Sequence, residues 1–246
     1  SDVGGYTSSL LQLTTSDGDF EKTRSSLFVN NFLAGAQVSK PRKGNKSSLL
    51  ASVRISPLGL EYNLLRPHLA EGLSVPDHIN ALVGDAFAKI TWKTRDRERI
   101  FLSVFGSYDR YGFSPNKTSS QALGWSNLIG NLTWIKESAS GWEWESRLSH
   151  NDFRAFQDQS QKINSNTTRM SLQSALMEEG LQVKVSKEMN ARLRVQTGAD
   201  AYVSFFQPGV SKVYQDRKRA ATAGKSLVTG RGSLYGQIGY NNGPFH

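Results

Sequence analysis

The nine residues Asp85-Ala86-Phe87-Ala88-Lys89-Ile90-Thr91-Trp92-Lys93 alternate along their length, with Ala86, Ala88, Ile90 and Trp92 on one side and Asp85, Lys89, Thr91 and Lys93 on the other. A period of two marks an extended strand with one apolar and one polar face. The following run repeats it. Ile100, Leu102, Val104, Gly106 and Tyr108 alternate with Ser103, Ser107 and Asp109, and only Arg95-Asp96-Arg97-Glu98 intervenes. So short and charged a link joins the two runs as a hairpin.

The same grammar extends in both directions. Leu128, Leu132 and Trp134 oppose Asn127, Asn131 and Thr133. After Ser138-Ala139-Ser140-Gly141, Trp142, Trp144 and Leu148 oppose Glu143, Glu145, Arg147 and Asn151. Met170, Leu172, Ser174 and Leu176 share one parity and Leu181, Val183 and Val185 the other, which predicts a β-bulge across Glu178-Glu179-Gly180. Beyond Lys187-Glu188-Met189-Asn190 the outward set is Ala191, Leu193, Val195, Ala199, Ala201 and Val203. Upstream, Ser25 to Lys40 and Ser47 to Pro57 flank the turn Pro41–Lys46, and Val228 to Tyr240 forms a late strand. The pattern predicts about nine antiparallel strands and no convincing helix. Arg66 to Asn80 holds Pro67 and Pro76 and reads as a loop.

Two features set these strands apart from a soluble sandwich. They run roughly ten to sixteen residues, at or beyond the ~9–11 that cross a bilayer at a tilt. Their links also alternate, with tight turns near positions 43, 96, 139 and 189 and longer loops at Leu58–Leu82, Ser114–Gln121, Gln157–Asn166 and Gln207–Ser226. Short turns on one rim and long loops on the other are the plan of an outer-membrane barrel. Trp92, Trp134, Trp142 and Trp144 all carry outward parity beside a tight turn, as a membrane-interface girdle requires. Tyr108, Tyr111, Phe113, Trp125, Phe153, Phe156, Tyr202, Phe205 and Phe206 gather at the opposite strand ends.

Composition narrows the chemistry. The net charge is +9, but the excess sits in turns and loops such as Pro41–Lys46 and Arg217-Lys218-Arg219 and makes no phosphate-tracking stripe, so nucleic acid is not an expected partner. The absence of cysteine excludes thiolate metal sites, thiol catalysis and disulfides. The histidines His68, His78, His150 and His246 stand far apart in sequence. No window supplies the 18 or more apolar residues of a transmembrane helix. Ser1-Asp2-Val3-Gly4-Gly5 lacks the basic and apolar regions of a signal peptide. Glu143 and Glu145 share a strand face, as glycosidase carboxylates can, yet charged lumen walls produce the same spacing. The sequence gives no enzyme, and no cofactor or metal site is expected.

The run Gly4-Gly5-Tyr6-Thr7-Ser8-Ser9-Leu10-Leu11-Gln12-Leu13-Thr14-Thr15-Ser16-Asp17-Gly18 resembles the end of the plug domain in TonB-dependent outer-membrane receptors, especially those of the Bacteroidota, where a Gly-Gly, a Ser-Ser and a closing Thr-x-Asp-Gly recur. Gly44–Arg54, Asp85–Thr94, Asp96–Ser103, Tyr108–Phe113 and Gly232–Gln237 resemble successive barrel segments of that family. The resemblance implies an all-β fold: an antiparallel transmembrane β-barrel segment of about nine strands out of the family's twenty-two. It implies a plug end and plug–barrel connection over residues 1–23 and the N-terminal portion of the barrel over 24–246. It further implies localisation in the Gram-negative outer membrane and substrate uptake driven through TonB, by a chain not functional alone. The implied partners are the remaining barrel and plug, the TonB complex acting through a missing N-terminal region, lipopolysaccharide and other outer-membrane lipid, and a surface lipoprotein.

Glu143, Glu145, Arg147, Arg192 and Arg194 are the lumen-facing and plug-facing candidates, and Arg110, Tyr111, Phe113, Tyr202, Phe205 and Phe206 the extracellular ligand-contact candidates. A self-contained small barrel serving as a passive pore or structural protein, and a soluble all-β binding module, are the competing readings.

Overall fold

The computed structural model describes residues 14–42, 44, 46–68, 78–95, 97–116, 118–163, 166–215 and 218–240. Its strands are β1 (Arg24–Val29), β2 (Ala34–Arg42), β3 (Ser47–Ser56), β4 (His78–Arg95), β5 (Glu98–Asn116), β6 (Ser119–Glu137), β7 (Trp142–Ile163), β8 (Asn166–Asn190), β9 (Leu193–Gln215), β10 (Lys218–Ala223) and β11 (Leu227–Tyr240). Each pairs antiparallel with the next as far as β10, and β11 returns to β9. Strand β10 covers Ser211–Gln215 of β9, and β11 covers Leu193–Phe206. These two therefore lie end to end along one edge, so the sheet has ten strand positions.

Register explains why the alternation reads so clearly. Leu49, Ile90, Leu102, Leu132, Leu148, Leu181 and Ala201 are successive cross-strand partners from β3 to β9 and make one unbroken apolar row. Val53, Leu102, Leu132, Leu148, Leu181 and Leu234 on this face are all exposed. The opposite face holds the buried Ser48, Lys89, Thr91, Thr133, Gln196 and Asp200, while Leu50 and Val210 are the only buried large apolar side chains among the described residues. A soluble sheet buries its apolar face, and this one is inside out. Side chains that converge shield one another, so a polar face buried without a covering sheet is the concave one. Among the described residues β1 pairs only with β2, and β11 only with β9. Both edge ladders are therefore open.

The structure departs from the sequence reading at four places. Ser25 to Lys40 is not one strand, because Asn30 turns it: the Asn30 side-chain oxygen accepts from the Phe32 and Leu33 amides at 2.9 Å each. A helix, α1 (Leu58–Leu65), follows Pro57 and runs into a 3-10 turn at Arg66–His68, where helix had not been expected. It is held to β4 by the Asn63 amide, which donates to the Ile79 carbonyl at 2.8 Å, and by Gly59, whose Cβ would fall 2.7 Å from the Ala81 nitrogen. The long loops expected at Ser114–Gln121, Gln157–Asn166 and Gln207–Ser226 are mostly strand, with links of two or three residues. Backbone pairing needs no apolar face, so the hairpins continue after the alternation fades. Strand β8 runs 25 residues, or about 80 Å at about 3.3 Å per residue. Finally, β7 and β8 stay in register through Glu178–Gly180, and the irregularity lies between Gln173 and Ala175 against β9. Met170, Leu172 and Leu176 are accommodated on the other face, beyond the apolar row.

One packing device recurs four times. Gly35, Gly124, Gly180 and Gly198 each lie directly opposite an aromatic residue of the neighbouring strand, respectively Phe28, Phe156, Tyr202 and Tyr235. Each ring covers the space that a Cβ would enter. At Gly180 an added Cβ would meet Tyr202 Cε1 at 2.6 Å and also the Ser149 hydroxyl. Gly180→Ala is expected to cost about 1–3 kcal/mol through overpacking, measured as a lowered urea midpoint. Combining it with Tyr202→Ala should cost less than the two changes summed.

Candidate functional site

The concave polar face carries the arrangement with functional content. Residues 14–22 cross it as an irregular strap over β2 to β5, held by residues widely separated in sequence. Lys89, 3% exposed, is its anchor. The Lys89 ammonium meets the Asp17 carboxylate at 2.7 Å and donates to the Thr15 carbonyl at 3.0 Å. Its Nζ also lies 4.6 Å from the centre of the Phe101 ring. A buried charge needs this much compensation to persist. Arg99 adds a longer contact to Asp17 at 3.8 Å, and the Ser48 hydroxyl donates to the Asp17 carbonyl. Gly18, at φ +83°, turns the strap against Ser39 and Ser48, and Lys93 caps the Phe20 ring at 3.9 Å.

The strap leaves the face through a turn at Asp19. The Lys22 and Glu21 amides donate to its carboxylate at 2.9 and 2.8 Å, and these bonds, with a smaller contribution from Arg24, hold its pKa below the usual carboxylate range. A carboxyl with a lowered folded pKa stabilises the turn above its unfolded pKa, and the contribution is lost as pH falls through the folded value. The Glu21 and Lys22 amides should accordingly stay protected at neutral pH and exchange faster, relative to the intrinsic rate, once the pH drops below about 4. Hydrogen exchange measures this.

Farther along the same face, oppositely charged groups neutralise one another in steps. Arg54 meets Asp85 at 2.9 Å. Glu145 meets Arg147 at 2.9 Å and Lys184 at 2.6 Å. The Ser204 hydroxyl donates to Glu178 at 2.7 Å, the Ser233 hydroxyl donates to Asp200 at 2.6 Å, and Arg231 lies 4.3 Å from the Tyr202 ring centre. This is a mixed-charge wall. Glu145, paired with both Arg147 and Lys184, is part of that wall.

Of the residues singled out from sequence, Glu143, Glu145 and Arg147 share the polar face on β7, and Arg194 reaches Ser186 across it at 3.5 Å. Arg192 precedes β9, in a tight turn where its own amide donates to the Asn190 side chain at 2.9 Å. The six aromatic and basic residues divide between the faces. Tyr111 meets Trp125 at 5.8 Å on the polar side, whereas Arg110 lies 5.9 Å from the Phe156 ring centre on the other. Phe113 and Phe206 follow the parity of the polar face, Tyr202 stands on it beneath Arg231, and Phe205 points outward beside Val203 and Val228.

Trp92 and Trp134 are both outward partners of Ile100, and Trp134 donates to Glu98 at 2.8 Å. Trp142 and Trp144 stand at the same rim, with Lys187 5.3 Å from the Trp142 ring centre. What sequence reasoning missed is the pairing of Lys89 with Asp17. The signal was Lys89 itself, a cation at the centre of an otherwise uncharged stretch from Ala86 to Trp92. Among the described residues no group of three or more His, Cys, Asp or Glu side chains is placed to hold a metal. The Gly-Gly and Ser-Ser elements of the plug-like motif lie outside the described residues.

No family model matches the sequence, and no curated protein matches it. Among solved structures the chain is similar to the ferric yersiniabactin uptake receptor FyuA from Yersinia pestis, with a TM-score of 0.52 and 10% sequence identity. The match covers 88% of this chain and 34% of the receptor. The chain therefore spans about a third of that receptor's length, and what it shares with it is the fold, an antiparallel β-barrel sheet.

Proposed function

We propose that this chain is part of the barrel of a TonB-dependent outer-membrane transporter. The observation that carries the reading is the inverted sheet: an exposed apolar belt on one face, and on the other a charged wall crossed by a strap. In this reading residues 1–23 end the plug and 24–246 begin the barrel. The Asp17–Lys89 pair fastens the one to the other. Substrate passes along the polar wall when TonB pulls the plug open. The open edges at β1 and β11 favour a larger barrel over a small closed one, and the belt of exposed leucines argues against a soluble module. The remaining strands and plug, the TonB complex, lipopolysaccharide and a surface lipoprotein are the partners that follow.

The test is made on the intact protein in its own outer membrane. Ser103→Cys should react with a water-soluble maleimide, and Leu102→Cys, one residue away, should not. Uptake of its substrate should stop when TonB is removed. Equal labelling at both positions, or recovery of the protein in the soluble fraction, sinks the membrane assignment. Uptake that persists without TonB leaves a passive pore.

A further inference from the structure

At the tight-turn rim the outward face presents donors that lack acceptors. On β7 Trp142 and Trp144 share the parity of Leu148, and their cross-strand partners on the same face are Lys187 of β8 and Lys136 of β6. Trp144 is 45% exposed, Lys136 is exposed, and the Lys187 ammonium lies 5.3 Å from the centre of the Trp142 ring. Among the described residues no carboxylate meets either lysine and no acceptor meets either indole N–H. The neighbouring indole is different: Trp134 donates to Glu98 at 2.8 Å, and Glu98 also accepts from the Thr94 hydroxyl at 2.6 Å. Farther along the same face the charges are matched. Arg154 and Arg169 are ion-paired with Asp152 and Asp158 at 2.7 Å each, His150 meets Glu179 at 2.7 Å, and Lys212 donates to Gln173 at 2.9 Å.

We propose that this part of the rim is a headgroup site for anionic glycerophospholipid. Each tryptophan–lysine couple, Trp144 with Lys136 and Trp142 with Lys187, offers one N–H donor and one positive charge. Neither group can accept a hydrogen bond, so the complementary ligand is an anion that only accepts. A phosphodiester has one negative charge and two free oxygens, one for each member of a couple. What lies beside the couples sets the rest of the ligand. Leu148 and Leu181, exposed at 53% and 47%, continue the same face away from the rim, so the phosphate must carry hydrocarbon chains to cover them. Lysine suits the position, because its stem lies along apolar surface while the ammonium stays at headgroup level. Indoles favour the same level. The two couples flank β7, with their lysines on strands about 10 Å apart at about 4.8 Å per strand, which leaves room for two headgroups side by side.

The inference rests on the barrel reading, and its test separates the two. The intact protein, extracted from its membrane into detergent micelles, is titrated with phosphatidylglycerol and with phosphatidylcholine, and retained lipid is counted by native mass spectrometry. Phosphatidylglycerol should be retained about tenfold more, because both lysines are free to attract its charge. Lys136→Gln with Lys187→Gln should remove the preference, and arginine at both positions should keep it. Lys162→Gln, which removes an exposed lysine at the far end of β7, should leave it unchanged. Trp142→Phe with Trp144→Phe keeps the rings, takes away the N–H donors and should weaken retention about threefold. Excess inorganic phosphate should not displace the lipid, and displacement would overturn the lipid assignment in favour of a free-phosphate site. Equal retention of the two lipids, or no loss with either pair of changes, overturns the headgroup site and leaves the barrel standing. Recovery of the unmodified protein in the soluble fraction overturns the barrel and the site together.

Discussion

Leu132→Arg is expected to lower the stability of the membrane-inserted chain by about 2–4 kcal/mol, whereas Asn131→Arg, one residue away, should change it by less than about 1 kcal/mol. Leu132 stands in the middle of the apolar row, between Leu102 and Leu148, and is exposed. In a soluble protein an exposed leucine tolerates arginine with little change. In a bilayer the guanidinium loses water and gains nothing in return, and the cost is largest near the midplane. Asn131 points to the wet side, between Ser103 and Ser149, where a cation meets other polar groups. Urea titration of protein folded into vesicles, followed by heat-modifiable migration, reads both values. Similar losses at the two positions would remove the assignment of faces on which the whole reading depends.

The second large effect is expected at Lys89. Lys89→Met takes the short ion pair from the Asp17 carboxylate, leaving it only Arg99 at 3.8 Å, and also takes the donor from the Thr15 carbonyl. Breaking one side of a buried ion pair costs about 3–5 kcal/mol. Asp17 keeps a third of its side-chain exposure, which places the loss near the low end, at about 3 kcal/mol. The strap should then lift from the wall, and trypsin should cut after Lys22 and Arg24, both exposed, more than tenfold faster. Replacing both partners, Asp17→Asn with Lys89→Met, should recover most of the loss, because no unpaired charge remains. A double variant cut as fast as the single one would assign the effect to packing of the lysine stem and not to the pair.

Much of the architecture is legible in the residues themselves, and the reason is physical. Where a strand has one apolar and one polar face, each position is forced to choose, so Ile90, Leu102, Leu132 and Leu148 announce their face and register in advance. Where both faces are polar the constraint disappears. Gln157–Ile163 pairs as a regular strand with no alternation to betray it, so the local pattern over Gln157–Asn166 reads as loop. Asn30 is a turn that only its side-chain hydrogen bonds reveal, and α1 is held by Asn63 and Gly59 against β4, contacts that local pattern does not encode. The candidate site was partly visible for the same reason. The alternation put Glu143, Glu145 and Arg147 on one wall, but it could not show that Asp17, 72 positions away in the chain, would meet Lys89.

The four glycine–aromatic pairs bear on a problem that alternation leaves unsolved. A slip of one residue between neighbouring strands turns every apolar side chain toward the wrong medium and is rejected outright. A slip of two residues preserves the alternation, and in long polar hairpins such as those above the belt it changes little else. It does carry Phe28, Phe156, Tyr202 and Tyr235 away from Gly35, Gly124, Gly180 and Gly198 and drives each ring against a neighbour that has a side chain of its own. The pairs thus act as keys during assembly, each admitting one alignment of two strands. Removing a key should raise the fraction of chains that close in a shifted register, in addition to its cost to the finished sheet.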